Sequence, residues 1–480
     1  MQDHPTPMTT RTSSAGNMRS RASTPSLENQ THVHDPHNIL SYQFDECFAW
    51  GMNNGQLGSH QEIQQDTLIN VVSVPTRISV EQFLNSNEQI GFVASGGSHT
   101  VIITNHHRVL SFGKNQNGQL GHGNFEDSPT PKEVTFDLED DFIVYCACGD
   151  RHTIFLTNKG RVYVCGANFN SQLGLGHMSN VSSPTLVEQM TSRKIRRASC
   201  GARHTVLITG KGKIFTAGLG AFGQLGHGDF EDQPYFKHIE DIDWSCSACS
   251  SKEHVNVALS SNYDVYQWGG RSVDSESDQI KDCVPTLLFS SLNGRRIVQV
   301  AASTYHALAR TSDGSVYCWG YNLDNAGYLR LLKHLEMSDE NLLHKPFLVE
   351  SEKQLSEKGL DLSPKYIIKK NDLTVYRNHF FSNNKVTWIA CTETCNYVVT
   401  DKGDVYVFGK GNYGELGLGD NRTSYVDYPE KILALEGKKV VRVMASTHSA
   451  FALTCKNSLH QDDNLFFETK LEQTPQENQK

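Results

Sequence analysis

The sequence predicts an all-β fold: a seven-bladed β-propeller of four-stranded antiparallel blades, closed by pairing the N- and C-terminal strands. One phrase recurs in seven copies with a base period near 51 residues, each copy divides into four short strands, and the two ends of the repeat complement each other. A fixed period of this length indicates a repeat architecture. Radial packing of four-stranded sheets then closes a propeller.

The recurring phrase is a strand, a glycine, a polar turn and a Gly-Gln-Leu-Gly loop. Arg108–Asn124, RVLSFGKNQNGQLGHGN, shows it in full. Its strand places Val109 and Ser111 on one side and Leu110 and Phe112 on the other, which is the period of a pleated strand. The glycines that end this strand are Gly51, Gly113, Gly166, Gly218, Gly269, Gly320 and Gly409. Their separations are 62, 53, 52, 51, 51 and 89 residues, so the sixth copy carries a large excess.

One complete unit is predicted to contain four strands. An apolar strand such as Ile195–Cys200 leads into a Gly-x-x-His turn at Gly201–His204, and a second strand ends at Thr209. A turn at Lys211-Gly212 precedes the glycine-terminated third strand. The unit ends in a proline-containing strand such as Pro184–Val187, and proline is tolerated on an outer strand because it lacks a ladder donor.

The two ends of the repeat predict how the ring closes. The chain enters at a third strand, Cys47–Trp50, and leaves after a second strand, Phe451–Thr454. Pairing these two strands completes the seventh blade and removes two exposed edges.

The predicted domain organisation has three parts. Residues 1–44 are rich in Ser, Thr, Pro, His and Asn and form an expected disordered tail, residues 45–455 form the propeller, and residues 456–480 form a polar C-terminal tail. An insert of charged residues occupies about 330–385 in the sixth repeat. The fifth copy has lost its Gly-Gln-Leu-Gly loop, which Gly270–Asp282 replaces. A long insert in a compact repeat is more often a binding loop or a disordered excursion than scaffold, so blades five and six are the expected partner site.

Composition excludes some classes of function. The net charge of −9 argues against direct nucleic-acid binding. No apolar run approaches the ~20 residues that a membrane span needs. The N-terminus lacks the apolar core of a secretory signal, and a monomeric propeller in the cytoplasm, the nucleus or both is expected.

The 12 cysteines are interpreted as small buried packing residues in a reducing compartment. A zinc site needs four converging ligands, but the pairs lie in different copies with different spacings. No metal or cofactor is expected. The pairs are Cys146-x-Cys148, Cys246-x-x-Cys249 and Cys391-x-x-x-Cys395.

Four histidines recur five residues before the end of the second strand: His99, His152, His204 and His306. The corresponding residues of the other copies are Val255, Cys395 and Ser449. This scatter favours a structural role, with imidazoles bonding neighbouring backbone, over a metal or catalytic ring. Catalytic residues cannot be assigned, because no Ser-His-Asp or paired-carboxylate arrangement emerges from the spacing.

Two segments match the dinucleotide fingerprint, Gly218-x-Gly220-x-x-Gly223 and Gly409-x-Gly411-x-x-Gly414. The fingerprint functions because its third glycine opens a helix that faces the pyrophosphate. Turn residues follow both segments, so both are interpreted as loops whose glycines supply positive φ.

The recurring V-Y-x-W/F-G, N-x-x-G-Q-L-G-x-G and G-x-x-H-T-x-x-L-T phrases closely resemble the repeats of the regulator of chromosome condensation family. The resemblance covers about Cys47–Thr454 and implies a seven-bladed propeller. Family members have diverse roles, so the fold alone does not fix an activity. The first hypothesis is a non-catalytic protein-interaction scaffold. The alternative, implied only by the resemblance, is a guanine-nucleotide exchange factor for a Ran- or Rab-like small GTPase.

Some features of the family's exchange factor for Ran are missing here. Copies two to four carry no inserted hairpin, and the basic chromatin-binding tail is absent. The acidic pairs Glu126-Asp127 and Glu231-Asp232 lie in their loops, without an assignable role. A light-sensing role is disfavoured because the chain has five tryptophans, three of them in the repeated strand.

Overall fold

The computed structural model describes residues 44–53, 55–57, 71–240, 242–270, 283–290, 294–320, 367–370, 373–419 and 425–455. The predicted tails, the loop that replaces Gly-Gln-Leu-Gly in the fifth copy and much of the insert in the sixth lie outside these residues. In the described residues, no helix is both long and apolar enough to span a membrane.

The described chain forms short strands joined by tight turns. The strands are β1 Glu46–Met52, β2 Val71–Arg77, β3 Ile90–Ser95, β4 His99–Thr104, β5 Val109–Gly113, β6 Ser128–Glu133, β7 Ile143–Cys148, β8 His152–Thr157, β9 Val162–Gly166, β10 Val181–Leu186, β11 Ile195–Cys200, β12 His204–Thr209, β13 Ile214–Gly218, β14 Gln233–His238, β15 Cys246–Lys252, β16 Val255–Ser260, β17 Val265–Gly269, β18 Thr286–Phe289, β19 Ile297–Ala302, β20 His306–Thr311, β21 Val316–Gly320, β22 Ile367–Lys370, β23 Leu373–Asn378, β24 Val386–Cys391, β25 Cys395–Thr400, β26 Val405–Lys410, β27 Tyr425–Lys431, β28 Val440–Ala445 and β29 Ser449–Thr454. Short 3₁₀ turns occupy Glu81–Phe83, Glu188–Met190, His379–Asn383 and Leu433–Leu435.

These strands form seven antiparallel sheets, which confirms the predicted propeller. Blade 1 contains β28, β29, β1 and β2; blades 2 to 5 contain β3–β6, β7–β10, β11–β14 and β15–β18; blade 6 contains β19–β23; and blade 7 contains β24–β27. The first strands of consecutive blades contact one another around a closed circle, from β3 through β7, β11, β15, β19 and β24 to β28 and back to β3. The first strands are therefore the innermost strands of the ring.

Blade 1 closes the ring as the sequence predicts. Its sheet order is β2-β1-β29-β28, and the two ends of the repeat pair antiparallel, with Trp50 opposite Ala450. The one departure from four-stranded blades is blade 6, where β22 pairs with β23 as a fifth, outermost strand. The end of the predicted insert is therefore part of the sheet.

The core lies between blades and is built from the repeated loop. Leu173 of the Gln-Leu-Gly loop in blade 3 is fully buried in a cluster with Leu207 and Phe236 of blade 4. Trp50 and Trp268, in the repeated third strand, donate their indole N–H to the carbonyls of Glu415 (2.7 Å) and Gln224 (3.0 Å) of the preceding blade's loop. Leucine packing and indole bonds thus tie the loops of blades 3, 4 and 7 to the next blade.

Strand alternation divides the loops between two faces. In blades 2 to 5 and 7, first strands end and second strands begin on one side, where third strands also end and fourth strands begin; we call this side the loop face. The turn between second and third strands and the connection to the next blade lie on the other side, the back face. The charged and exposed apolar residues considered next lie on the loop face.

Candidate functional site

The four predicted histidines join neighbouring blades. Each begins a second strand, and its Nε2 lies within hydrogen-bond distance of a side chain on the next blade. The four pairs are His99 with Thr153 Oγ1 (2.8 Å), His152 with Thr205 Oγ1 (3.0 Å), His204 with Asn256 Oδ1 (2.8 Å) and His306 with Asn396 Oδ1 (2.7 Å). The acceptor is always the residue that follows the histidine position of the next blade. The sequence interpretation expected backbone partners, but Nε2 contacts side chains.

The bonding around Thr153 fixes the protonation of its partner histidine. The hydroxyl of Thr153 donates to the carbonyl of Gln119 at 2.7 Å, so its oxygen must accept from His99. A hydroxyl has one proton to donate, and His99 therefore carries its proton on Nε2. The bond links the loop of blade 2, the second strand of blade 3 and the histidine of blade 2.

The histidines are buried and neutral. Burial lowers the pKa of His99 and His152 to about 3 and that of His204 and His306 to about 4. The Nδ1 atoms of all four make no hydrogen bond within the described chain. Because each neutral imidazole donates from Nε2 to a side chain of the next blade, its role is to stabilise the interface between blades.

The strand-ending glycines face the histidine positions across the sheet. From blade 1 to blade 7, the cross-strand pairs are Gly51 with Ser449, Gly113 with His99, Gly166 with His152, Gly218 with His204, Gly269 with Val255, Gly320 with His306 and Gly409 with Cys395. All seven have positive φ, between +82° and +152°. The two residue sets that the sequence identified separately therefore form one structural unit.

A second glycine makes room for the imidazole. A Cβ added to Gly149, in the Gly-x-x-His turn, would lie 2.1 Å from Cε1 of His152 and 2.7 Å from the carbonyl oxygen of Gly201. The Gly-x-x-His motif thus reflects close packing of the ring on the turn backbone.

Charged residues from three alternate blades converge at the mouth of the central channel. We call Asp150 (blade 3), Lys252 and Glu253 (blade 5) and Glu393 (blade 7) the mouth cluster; each lies in or beside a turn between first and second strands. Lys252 is close enough for Coulombic interaction with all three carboxylates.

The mouth cluster carries strained backbone and perturbed groups. Burial lowers the pKa of Lys252 to about 8, against the attraction of the three carboxylates. Burial also raises the pKa of Glu253, which Lys252 opposes. Glu253 has φ +43°, an uncommon conformation for a residue with a side chain. Glu393 lies 3.5 Å from Nε2 of His448.

Exposed apolar side chains lie on the same face as the mouth cluster. Phe125, Phe169 and Met178, in the third-to-fourth-strand loops of blades 2 and 3, are 52%, 55% and 61% exposed. Large apolar side chains that remain exposed together are typical of interaction sites. Neither they nor the mouth cluster was predicted from the sequence, where the only signal was the replacement of the Gly-x-x-His glycine by Lys252 in the fifth copy.

In each of the two acidic pairs, the aspartate accepts a backbone hydrogen bond and the glutamate is exposed. Asp127 accepts from the backbone N–H of Asn115 (2.8 Å), and Asp232 accepts from that of Gly220 (2.7 Å), which closes the base of each loop. Glu126 and Glu231 are exposed.

The fingerprint-like segment of blade 4 forms tight turns. Gly223 donates its N–H to the carbonyl of Gly220 at 2.7 Å, and Gly226 donates to that of Gly223 at 3.2 Å. No helix follows Gly223 in blade 4. Among the residues that the structure describes, no group of three or more His, Cys, Asp or Glu side chains is arranged to hold a metal ion.

We expect the cysteines to resist modification in the folded protein. All 12 are free thiols, ten buried and two half-buried, and burial raises the pKa of Cys47, Cys165 and Cys249 to about 12. Because the thiolate is the reactive form, Ellman's reagent should label the native protein at least tenfold more slowly than the protein in denaturant. Equal rates in the two conditions would contradict the buried placement.

Comparison with known families supports the repeat assignment. Two models described as the regulator of chromosome condensation (RCC1) repeat match the chain and together cover about half of it. One matches residues 45–103, 106–156, 159–208 and 402–453, and the other residues 92–119, 143–172 and 297–325.

Relatives by sequence include proteins with different roles. The ultraviolet-B receptor UVR8 of Arabidopsis thaliana is 27% identical over 390 residues, 80% of this chain and 77% of that protein. The RCC2 homolog of Xenopus laevis is 26% identical over 371 residues, 73% of this chain and 65% of that protein. The E3 ubiquitin-protein ligase HERC2 of Mus musculus is 27% identical over 421 residues, 85% of this chain but 8% of that protein.

Solved structures share the fold. Prp20p from Saccharomyces cerevisiae superimposes with a TM-score of 0.68 at 20% identity, over 89% of this chain and 95% of that one. Human WBSCR16 superimposes with a TM-score of 0.62 at 21% identity, over 85% and 98%. Because the repeat models together match about half of the residues and the sheets form the expected seven blades, the chain belongs to the RCC1-repeat family.

Proposed function

We propose that this chain is a non-catalytic scaffold that binds a partner protein on its loop face. The observation that carries the proposal is the mouth cluster, in which Lys252 interacts with carboxylates of blades 3, 5 and 7 on the same face as the exposed apolar side chains of blades 2 and 3. Scaffolds and regulators are both compatible with membership of this family.

The mouth cluster offers charges of both signs to a partner. Its three carboxylates interact with the ammonium group of Lys252, Asp150 also pairs with the guanidinium of Arg151 (3.4 Å), and Arg203 attracts Glu253. Complementary charges at an interface steer association and fix its register. A partner segment that carries both basic and acidic side chains would complement this surface.

The flanking apolar residues supply the other component of a protein interface. Aromatic side chains near the centre of an interface commonly contribute most of its binding free energy. Phe125 and Phe169 are more than half exposed and lie in loops that bonds at Asp127 and Asn180 hold at their bases. Such loops present their side chains at little cost in ordering entropy.

The histidines support a binding role over a chemical one. The four in the ring are neutral, buried and bonded through Nε2 to the next blade. A general base must reach the proton it removes, and these imidazoles are directed between blades.

We expect Phe125→Ala, Phe169→Ala and Met178→Ala together to reduce partner recovery at least tenfold. The three changes remove exposed apolar area without altering buried packing. Quantitative affinity purification from cell extract, with mass spectrometry, measures recovery for the wild type and the triple variant. Leu433→Ala, which removes a 64% exposed side chain on the back face, is the matched control. Equal recovery of every partner with the triple variant would remove the loop face from the proposal.

The competing hypothesis is guanine-nucleotide exchange on a Ran- or Rab-like GTPase. The family likeness supports it, since the solved structure of Prp20p is described with its binding properties to Gsp1p and histones. Release of fluorescent GDP from a panel of GTPases, with and without the purified chain, separates the two functions. Accelerated release from any of them would replace the non-catalytic scaffold with an exchange factor.

We also propose that the propeller is monomeric and works in the cytoplasm or nucleus. The 12 free thiols support a reducing compartment, where thiols persist. The net charge of −9 supports a protein partner over direct nucleic-acid contact.

A further inference from the structure

Tyr263 occupies a turn position that glycine holds in four other blades. The turn between second and third strands contains Gly160, Gly212, Gly314 and Gly403 at this position, with φ of +83°, +75°, +82° and +81°. At the same place, His107 of blade 2 adopts φ +65° and Tyr263 of blade 5 adopts φ +68°. A bulky residue in the left-handed region is strained, and such strain is concentrated at functional sites.

The junction between blades 5 and 6 lacks a backbone hydrogen bond that the glycine turns make. In the glycine turns, the first strand of the next blade donates an N–H to the glycine carbonyl: Ile195 to Gly160 (3.1 Å), Cys246 to Gly212 (2.9 Å), Val386 to Gly314 (3.4 Å) and Val440 to Gly403 (3.3 Å). No such bond joins Ile297 to Tyr263, both of which the structure describes. A back-face pocket occupies this junction, lined by Ser261, Asn262, Tyr263, Ser290, Gly294, Arg295 and Arg296.

The pocket collects hydrogen-bond donors. The guanidinium of Arg296 lies over the ring of Tyr263, 5.2 Å from its centroid, and makes no ion pair or hydrogen bond within the described chain. The side chains of Ser261, Asn262 and Ser290 likewise have no hydrogen-bond partner among the described residues. Four donor groups without partners therefore line one pocket.

The neighbouring carboxylates are already engaged. Asp313 pairs with the guanidinium of Arg295 and accepts from Thr311. Asp264 accepts from the hydroxyl of Ser260 at 3.4 Å. The charge of Arg296 is thus the one in the pocket that no described carboxylate balances.

We propose that this pocket binds the phosphate group of a phosphorylated side chain on a partner protein. Guanidinium groups recognise phosphate oxygens through paired hydrogen bonds, and the hydroxyls and amide supply further donors. A pocket whose described lining is the turn 261–263 with Ser290 and residues 294–296 fits a single phosphate monoester better than the repeating phosphates of a nucleic acid. Because the pocket lies on the back face, this proposal does not depend on whether the loop face binds the partner proposed above.

The test titrates the full chain with three probes: inorganic phosphate, a five-residue alanine peptide carrying one phosphoserine, and the same peptide without phosphate. Isothermal titration calorimetry should show saturable binding of the phosphopeptide only, or of phosphopeptide more tightly than phosphate. Arg296→Gln should weaken phosphopeptide binding at least tenfold. Arg193→Gln, at an arginine 4.5 Å over the ring of Phe215 in another blade, is the matched control and should bind as the wild type does.

A second variant separates the pocket from the arginine. Tyr263→Gly restores the glycine turn, so the junction should close and phosphopeptide binding should fall although Arg296 remains. Unchanged affinity in Arg296→Gln, or binding of inorganic phosphate without binding of the phosphopeptide, would overturn the proposal. Tighter binding of a single-stranded oligonucleotide that Arg296→Gln abolishes would assign the pocket to nucleic acid and overturn it as well.

Discussion

Gly166→Ala is expected to lower the free energy of unfolding by about 2 to 5 kcal/mol, from two separate causes. The residue has φ +109°, and a left-handed conformation costs a residue with a Cβ about 1 to 2 kcal/mol. The added Cβ would also lie 2.5 Å from the carbonyl oxygen of Arg151 and 2.6 Å from Cα of His152. Overpacking of this kind costs about 1 to 3 kcal/mol more.

The matched control is Gly437→Ala, which separates conformation from contact. Gly437 has φ +75°, but nothing lies within 4 Å of an added Cβ. Only the conformational cost applies there, about 1 kcal/mol. Urea denaturation of the wild type and both variants measures the difference. Equal losses for the two variants would show that the close approach of Gly166 to the second strand does not stabilise the blade.

Acidification is expected to destabilise the propeller steeply, because four buried histidines must take up protons on unfolding. Their folded-state pKa values lie near 3 for His99 and His152 and near 4 for His204 and His306, below the ordinary value of 6.5. Below pH 6.5 the unfolded chain binds more protons than the folded chain, so stability falls as pH falls towards the folded-state values. Their stabilising contribution is complete only above pH 6.5.

Each histidine should contribute a loss of about 1.4 kcal/mol between pH 7.5 and 5.5, or about 5 kcal/mol for the four. Urea denaturation over this pH range measures the slope. His152→Gln retains a side-chain N–H donor for Thr205 and should reduce the loss between pH 7.5 and 5.5 by about 1.4 kcal/mol. The whole loss exceeds that of the four histidines, because burial also lowers the pKa of His122, His227 and His254 to about 4. His106→Gln, at an exposed histidine, should leave the slope unchanged. A slope that is the same in all three proteins would exclude His152 as a source of the acid sensitivity.

The fold could be predicted in detail because the end of each third strand requires a backbone conformation that favours glycine. Each strand-ending glycine has a positive φ, so the period of these glycines is the period of the blades. The closing pair was predicted as Cys47–Trp50 with Phe451–Thr454 and was observed as β1 and β29. Prediction failed for the fifth strand of blade 6, since β22 lies inside an insert that has no counterpart in other copies.

The sites were harder to predict for a different physical reason. The acceptors of the histidines follow the repeat, so the residue after each histidine position, such as Thr153 or Asn256, was a usable signal. The mouth cluster follows no such rule, because Asp150 and Glu393 approach Lys252 from blades that are far apart in sequence. Only the curvature of the ring brings them together.

The pairing of β1 with β29 has a consequence for biosynthesis. Phe451 of β29 reaches its partner Ala49 only when about four hundred further residues have been added. At roughly 5 to 20 residues per second, the nascent chain spends on the order of 20 to 80 seconds in which the edge of β1 that later pairs with β29 has no partner strand. An unpaired strand edge is a template for aggregation. During this interval, a chaperone that covers β1 of the ribosome-bound chain would favour closure of the ring over aggregation.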